Sequence, residues 1–324
     1  MDRLLLGLVV VVGVPAATVA YVAAIEFVLE RMSNVYRARL RPWLWLLPAF
    51  ILLGFYLVYP TINTIFLSFH GPRSEEFVGL DNWIFAFTND EMLTAFRNNA
   101  MWLVFFTAGT VVFGLLVALM ADRVQYESAI KGLIFLPLAI SYVAAGVIWK
   151  LMYEFEPVGR PQTGTVNAIF TALIPDFEPV AWLTNTTTNN PALILIGIWM
   201  WTGFSMVILS AGLKSIPEEL IEAARVDGAN ELEILRNVTL PLLRPTIAVV
   251  TTTMIINVLK IFDIVYVLTS GNFNTEVIAN RMYEEMFIIR NFGRSSAIAV
   301  ILFVATVPVM LYNVRRFREQ EEVR

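Results

Sequence analysis

The chain has 324 residues, of which 57% are hydrophobic and 15% are charged, whereas about 25% are charged in an ordinary soluble domain. Its formal net charge of −4 argues against a nucleic-acid partner. Cysteine is absent and His70 is the only histidine, which excludes disulfides, cysteine or histidine-triad catalysis and multi-histidine metal sites. No metal site is predicted.

Seven apolar runs are long enough to cross a membrane, since a spanning helix needs about 20 mostly apolar residues. They are Leu4–Leu29, Trp43–Phe69, Ala100–Ala121, Ile130–Tyr153, Ala192–Leu213, Thr246–Thr269 and Ser295–Val314. Because lipid offers the backbone no hydrogen-bond partners, these runs predict helices. The predicted fold class is therefore an all-α membrane protein with about seven transmembrane helices.

The first run has two readings, a signal peptide or a retained span. Its apolar stretch is longer than the roughly 7–15 residues of a signal peptide, and only Arg3 precedes it. A small-residue cleavage site followed by a soluble chain is missing from the sequence. The retained span is therefore favoured over the cleaved leader.

The arginines predict the orientation, because positively charged loops stay in the cytoplasm. The two richest clusters are Arg31, Arg37, Arg39 and Arg41 after the first run, and Arg315, Arg316, Arg318 and Arg324 at the end. Seven spans then place the N-terminus outside and the C-terminus inside. Loops 122–131 and 214–245 are predicted inside, and the more acidic loops 70–99, 154–191 and 270–294 outside.

Loop 214–245 predicts two short helices joined by a turn. Ser215 followed by Glu218 fits a capping box at the start of the first helix, with Pro217 in its first turn. The pair Asp227-Gly228 predicts its end, because glycine adopts the left-handed conformation at low cost.

The second helix of this loop is predicted to start at Asn230, with Glu233 completing the cap. Pro241 and Pro245 are predicted to limit its length. The first helix presents Ala223 and Ala224 on a small-residue face that another surface can approach closely.

This helical hairpin can be read as lying on lipid or as docking a protein. Its acidic residues are Glu218, Glu219, Glu222, Asp227, Glu231 and Glu233, and its basic residues are Lys214, Arg225, Arg236 and Arg244. A helix bound to anionic lipid favours lysine and arginine. The acidic excess therefore favours a protein partner.

The same loop resembles the EAA loop of binding-protein-dependent ABC importer permeases. The family pattern is EAA, three residues, glycine, nine residues and I-x-L-P. The matching residues are Glu222, Ala223, Ala224, Gly228, Thr239, Leu240 and Pro241, with Val238 in place of isoleucine. We refer to residues 214–245 as the EAA loop.

Other stretches extend the resemblance over most of residues 43–318. Phe262-Asp263, Leu268-Thr269 and Gly271 are similar to the F-D…L-T-x-G stretch of the larger subunit in the maltose-type sugar branch. The double glycine and proline usual after Leu-Thr are replaced by Gly271-Asn272-Phe273. The extra first span and the arginine-rich ending look most like permeases for α-glucosides.

The resemblance implies a six-helix permease core in residues 43–318. Residues 1–42 would add an extra N-terminal span and an arginine-rich linker, and 319–324 would form a cytoplasmic tail. The protein would lie in a bacterial or archaeal cytoplasmic membrane and form a path for a sugar, an α-glucoside or a related di- or oligosaccharide.

The resemblance also implies partners. They are nucleotide-binding ATPase subunits, a second and different permease subunit, and an extracytoplasmic solute-binding protein. Coupling to the ATPase is carried over to Glu222, Ala223, Ala224, Asp227, Gly228, Leu240 and Pro241. None of the four lysines follows a glycine, so a G-x-x-x-x-G-K-[ST] phosphate loop is missing from this sequence. The chain is therefore not predicted to be an enzyme, carries no cofactor of its own, and leaves ATP and Mg to the partner ATPase.

The sixth run holds three polar residues, Asn257, Lys260 and Asp263, at i, i+3 and i+6. On a continuous helix they share one broad face. Since charges at membrane depth are costly, they line a solute path or form a Lys260–Asp263 packing pair, and the sequence leaves both open. In the fifth run, Trp199, Trp201 and Phe204 either stack on sugar rings or anchor the helix at the membrane boundary.

Two other classes of protein compete with the importer permease. An ion-coupled secondary transporter often has internal repeats and broken spans in matching halves, and no convincing repeat is found between runs two to four and five to seven. A membrane enzyme would need a catalytic constellation, which this sequence does not offer. The EAA loop has no role in either alternative.

Overall fold

The computed structural model describes residues 3–122 and 124–322, which are helical apart from turns, loops and one isolated bridge between His70 and Phe77. By its internal contacts the chain divides into two units, the first ending at Phe66 and the second beginning at Leu67. The predicted all-α class is confirmed. Residues 323 and 324 of the predicted tail, and the side chains of Arg316 and Arg318, lie outside the described part.

The first unit is a helical hairpin. Helix α1 (Arg3–Glu30) is followed by α2 (Asn34–Leu53), a π-helical turn (Gly54–Val58) and the start of α3 (Tyr59–Leu67). Glu26 on α1 accepts hydrogen bonds from Arg41 Nε at 2.8 Å and Trp45 Nε1 at 2.9 Å on α2. Most of the described apolar side chains of both helices are exposed, as expected for helices that face lipid.

The second unit contains the remaining helices. They are α4 (Asp81–Thr88), α5 (Asp90–Met101), α6 (Thr107–Ala121), α7 (Glu127–Phe135), α8 (Tyr142–Met152), α9 (Thr165–Leu173), α10 (Asn189–Lys214), α11 (Glu218–Val226), α12 (Glu231–Ile234), α13 (Leu240–Leu259), α14 (Asp263–Leu268), α15 (Ile278–Tyr283) and α16 (Phe292–Glu322). A π-helical turn at Trp102–Phe106 makes α5 and α6 continuous, and a second at Leu235–Thr239 joins α12 to α13.

Six helices of the described chain are long and apolar enough to cross a membrane, and a bent pair makes a seventh span. The bent pair corrects the prediction of one helix over Ile130–Tyr153. Helix α7 runs into a 3₁₀ turn that contains Pro137, Ile140 is extended, and Ser141 caps α8, so the two limbs meet at 100°.

The helix of the sixth span is displaced from its predicted bounds. Together with α12 and the π-helical turn, α13 forms one helix over Glu231–Leu259, whose 29 residues are long enough to cross a bilayer. The helix ends at Leu259, Lys260 has φ −106°, and Phe262 has φ −144° and ψ −60° before α14 begins at Asp263. The prediction of one helix over Thr246–Thr269 is therefore wrong.

Helix α10 forms the centre of the second unit. Its buried side chains are Leu193, Ile194, Ile196, Met200, Met206 and Leu209. A Cβ added at Gly114 of α6 would lie 2.3 Å from Ser205 Oγ on α10, so only glycine permits this approach. Close packing of small residues replaces the hydrophobic driving force that lipid does not provide between helices.

Candidate functional site

The EAA loop contains the two predicted helices. Helix α11 ends at Val226 and Asp227 is its C-cap, Gly228 has φ +90°, and the Ala229 amide donates to the Ala224 carbonyl at 3.0 Å. Asn230 Oδ1 accepts from the Leu232 and Glu233 amides at 3.1 and 3.0 Å, and Glu233 Oε2 accepts from the Asn230 amide at 2.8 Å. The glycine turn and the second cap are thus confirmed.

Two details of the loop differ from the sequence prediction. Ser215 does not cap α11, because its hydroxyl donates to the Gly212 carbonyl at the end of α10, and Pro217 precedes α11 instead. Pro241 and Pro245 do not stop the second helix. Pro241 lies just after the π-helical turn Leu235–Thr239, and the helix continues past both prolines.

Helix α11 presents an unusually apolar surface for an exposed loop. Val226 is 86% exposed and Leu220 is 46% exposed, while Leu232 on α12 is 72% exposed. Glu222, Ala223, Asp227 and Gly228 are also exposed, whereas Ala224, Leu240 and Pro241 are partly buried. An exposed helix with a small-residue patch and acidic neighbours can dock against a protein surface.

The polar residues of the sixth run do not share one face, because the helix ends between them. Asn257 Nδ2 donates to the Thr253 carbonyl at 3.0 Å, and its side chain lines a small closed space with Trp201 and Tyr142. Lys260 is exposed beyond the helix end. Among the described residues, Lys260 and Asp263 form no ion pair with each other, so the packing-pair reading finds no support.

Lys260 lines an open pocket of about 530 Å³. The pocket is bounded by Leu259, Lys260, Phe262, Ala279, Met282, Tyr283, Leu302, Phe303 and Thr306. Lys260, Tyr283 and Thr306 are the polar residues among them, and the surface of the pocket is almost entirely apolar. A cavity of this size with few polar groups is typical of small-molecule binding sites.

An aromatic cluster adjoins this pocket and was not predicted from the sequence. Phe262 lies 5.0 Å from Tyr266 and 5.3 Å from Tyr283 between ring centroids, and Tyr283 lies 4.9 Å from Phe287. The sequence signal is two aromatic pairs at i, i+4 spacing, Phe262/Tyr266 and Tyr283/Phe287. Only the fold brings the two pairs together.

The predicted aromatics of the fifth run lie elsewhere. Trp199 meets Trp149 edge to face at 5.6 Å, and Phe204 meets Trp201 at 5.6 Å. Both are partly buried and pack against the main core cluster. Neither lines the pocket at Lys260, so the structure does not bring them together with the polar residues of the sixth run.

The second limb of the bent span contacts the short helix that follows α13. Helix α14 packs on α8, and a Cβ on Gly146 of α8 would lie 2.7 Å from Val267 Cγ1 of α14. Half-buried Asp263, at the start of α14, is close enough to interact electrostatically with the Tyr142 hydroxyl at the start of α8. Non-helical backbone at membrane depth is tolerated where it is buried in protein or lines a cavity.

The loop that follows α14, residues 270–276, is held in a strained conformation. Ser270, Gly271, Phe273 and Asn274 all have φ between +51° and +78°. Three buried asparagines bind its carbonyls: Asn98 those of Asn274 and Glu276, Asn189 that of Phe273, and Asn190 that of Asn274. The asparagine bonds offset the cost of the left-handed conformation of Ser270, Phe273 and Asn274.

Glu276 closes this loop in a buried position. Its Oε1 accepts hydrogen bonds from the Val277 amide at 2.9 Å and Asn280 Nδ2 at 2.8 Å. Burial raises the pKa of Glu276 to about 7, an effect that the hydrogen bond from Asn280 opposes. This carboxyl therefore changes charge near neutral pH.

Comparison with known proteins finds similarity to membrane components of transport systems. Residues 110–317 match the family described as binding-protein-dependent transport system inner membrane component. The osmoprotective compounds uptake permease protein GgtC of Synechocystis sp. is 54% identical over 87% of this chain and its own full length. The alpha-glucoside transport system permease protein AglF of Rhizobium meliloti is 46% identical over 85% of this chain and 82% of its own.

A solved structure has the same fold. A chain of a bacterial ABC transporter involved in the import of the acidic polysaccharide alginate is 25% identical to this chain. It superposes with a TM-score of 0.74 over 88% of this chain and 99% of its own. The chain therefore belongs to the binding-protein-dependent family of inner membrane components, the permease subunits of ABC importers.

Proposed function

We propose that this permease moves a sugar through the pocket at Lys260 and is driven by a separate ATPase that docks on the EAA loop. The observation that carries the proposal is the exposed α11–α12 hairpin, whose glycine turn leaves Glu222, Val226 and Leu232 open to a partner. ATP and Mg belong to that partner, since the chain lacks a phosphate-binding loop.

The end of α13 supports a solute path at the pocket. Backbone groups beyond a helix end lose their helical hydrogen bonds, and at membrane depth these groups are tolerated where they line a cavity. Lys260 and Phe262 lie just beyond this helix end and also line the pocket. Intramembrane lysines commonly mark transport pathways.

A sugar fits the chemistry of this pocket. The faces of Phe262 and Tyr283 offer apolar surface to the C–H groups of a pyranose ring, and Lys260 and the tyrosine hydroxyl offer hydrogen bonds to its hydroxyls. Of the two relatives, one is named for the uptake of osmoprotective compounds and the other for the transport of alpha-glucosides, which are polyhydroxylated solutes. We assign an α-glucoside or a related di- or oligosaccharide on this basis.

Two further partners complete the proposal. The pocket at Lys260 is open on one side, and a second, different permease subunit would close it into a path. A solute-binding protein would deliver the sugar at the side opposite the EAA loop. We place the N-terminus outside and the EAA loop with the C-terminus in the cytoplasm, following the arginine clusters.

The test is reconstitution of the full complex. The tagged chain should retain the co-expressed ATPase subunit on an affinity column, and a sugar-loaded binding protein should stimulate ATP hydrolysis in liposomes. Reporter fusions at Met1 and Arg324 should report opposite sides of the membrane. Failure to retain any ATPase would contradict the proposal and would reopen the ion-coupled alternative, which none of the comparisons favours.

A further inference from the structure

A compact charge cluster lies where the EAA loop leaves the membrane helices. The Lys131 ammonium donates to Asp122 Oδ1 and Glu127 Oε1, each at 2.5 Å, and to the hydroxyl of Ser210. Ser210 Oγ also donates to Asp122 Oδ1 at 2.8 Å, and Lys214 donates to Glu127 Oε1 at 2.5 Å. We call these five residues the Lys131 cluster.

The Lys131 cluster is satisfied internally. A lysine ammonium has three donors, and each of those on Lys131 has its own acceptor. Two carboxylates and two ammonium groups give it no net charge. The Lys131 and Asp122 side chains are only 16% and 18% exposed, so water screens this pair less than a surface ion pair.

The cluster joins three helices that are separate in sequence. Asp122 follows the end of α6, Glu127 and Lys131 belong to α7, and Ser210 and Lys214 belong to the last turns of α10. Only Ser215, Ile216 and Pro217 separate Lys214 from the EAA helix α11. Lys214 is the last residue of α10 and its only charged residue, so a displacement of α11 reaches it first.

Helix α11 itself packs against α12 and the Leu235–Thr239 turn of its own hairpin. A groove of about 440 Å³ lies between the hairpin and the span ends, with Leu119, Asp122 and Lys214 on one side and Ile221 and Arg225 on the other. This groove separates α11 from α6. The contact between Lys214 and Glu127 is a polar link from the end of α10 to the start of α7, in addition to the packing of Gly203 against the end of α7.

Helix α7 is the first limb of the bent span, and α8 is the second. A rigid α7 that moves with Lys214 would change the 100° bend and so shift Tyr142 and α8. Removing one partner of a partly buried ion pair leaves the other charge without compensation, so a change at either residue disturbs the contact between α7 and α10.

We propose that Glu127 and Lys131 are positioning residues that transmit movement of the EAA helix to the interrupted span. The proposal rests on the proposed function, since it assumes that the ATPase acts on α11. Breaking the Lys131 cluster should leave the ATPase bound to the hairpin but uncouple it from α8.

The test uses the absence of cysteine from this chain. Val147 on α8 is 53% exposed, and Val147→Cys gives the chain a single thiol for an environment-sensitive fluorophore such as acrylodan. The full complex is then titrated with a non-hydrolysable ATP analogue and Mg. The emission change reports movement of α8 without requiring the solute to be known.

Lys131→Met and Glu127→Gln should each raise the analogue concentration at half-maximal emission change by about tenfold, a typical size for coupling between two sites. Lys131→Arg, which keeps the charge, should restore the wild-type value. Lys150→Met, the same substitution on exposed α8 outside the cluster, is the matched control and should have no effect. All variants should retain the ATPase subunit on the affinity column.

Glu127→Gln keeps the Lys131–Asp122 pair and so remains informative if Lys131→Met fails to assemble. A wild-type titration in Glu127→Gln and in any assembled Lys131→Met would overturn the inference while leaving ATPase docking on the EAA loop intact. Loss of the ATPase from both variants would also overturn it, because the cluster would then hold the docking surface. If the ATPase does not bind the wild-type chain, the proposed function itself fails.

Discussion

The indole nitrogen of Trp201 donates a 2.9 Å hydrogen bond to the hydroxyl of Tyr142. This bond joins the continuous span α10 to the first residue of α8, at the point where the bent span changes direction. Asn257 lines the same small space from α13. Polar side chains of three spans therefore surround one small space, which lies next to the bend before α8 and the end of α13. Lys260, where we propose the solute path, directly follows the end of α13.

Gly228→Val should uncouple transport by straining the turn after α11. Gly228 has φ +90° with open space around its Cβ position, so the effect is backbone strain of about 1–2 kcal/mol rather than a clash. Gly159 is the matched control, with φ +89° and equally open space, in the loop 154–191 that is predicted to lie outside. Gly228→Val should reduce retention of the ATPase and solute-stimulated hydrolysis, whereas Gly159→Val should leave both unchanged.

Glu222→Ala tests the same surface without affecting the turn. The exposed carboxylate should face the ATPase, so its removal should weaken retention of that subunit while the chain inserts normally. Equal retention and hydrolysis in wild type, Glu222→Ala and Gly228→Val would disprove the docking role of α11.

Lys260→Met and Tyr283→Ala should weaken solute binding and leave assembly intact. A hydrogen bond to a charged donor is worth about 1.5 kcal/mol, so Lys260→Met should raise the half-saturating sugar concentration about tenfold. Uptake measured against sugar concentration in liposomes gives that value, and Lys150→Met is the control. A complex that dissociates in Lys260→Met would instead indicate a packing role.

Stability should depend on the charge of Glu276. Its pKa is raised from 4.5 in the unfolded chain to about 7 in the folded protein, so the folded state binds the proton more tightly. The contribution of Glu276 to the free energy of unfolding is fully present below about pH 4.5 and is lost as the pH rises through about 7. The midpoint temperature of thermal unfolding of the purified protein should therefore decrease as the pH is raised from about 5 to about 8.

Glu276→Gln removes this titration, and its midpoint should vary less over the same range of pH. Glu75→Gln is the control, because Glu75 is exposed. Intrinsic tryptophan fluorescence during thermal unfolding in detergent follows the midpoint. A pH dependence in Glu276→Gln as steep as in wild type would assign the effect to other groups.

Gly203→Ala should destabilise the contact between α10 and the end of α7. An added Cβ would lie 2.4 Å from the Ile134 carbonyl oxygen and 2.6 Å from Phe135 Cα, so backbone has to move. The expected cost is about 1–3 kcal/mol of unfolding free energy. Gly132→Ala, with no atom within 4 Å of the added Cβ, should be neutral or slightly stabilising, and the same thermal unfolding experiment compares the two.

Patterns that are local in the chain could be predicted from the sequence alone. Apolar runs of about 20 residues predict spans because lipid forces the backbone to bond within each helix. Gly228 and the Asn230–Glu233 cap could be placed because a glycine turn and a capping box depend on neighbouring residues. The EAA loop, and with it the family, followed from the same short segment.

The tertiary structure decided what depends on distant contacts. The end of α13 before Lys260 is not marked by proline or glycine, and the break is held by packing of α14 on α8, which separates Asn257, Lys260 and Asp263. The aromatic cluster pairs Phe262 with Tyr283, 21 positions apart, and the Lys131 cluster joins Asp122 to Ser210 across two membrane segments. Since a side chain reaches such partners only through the packing of whole helices, spacing along the chain does not reveal them.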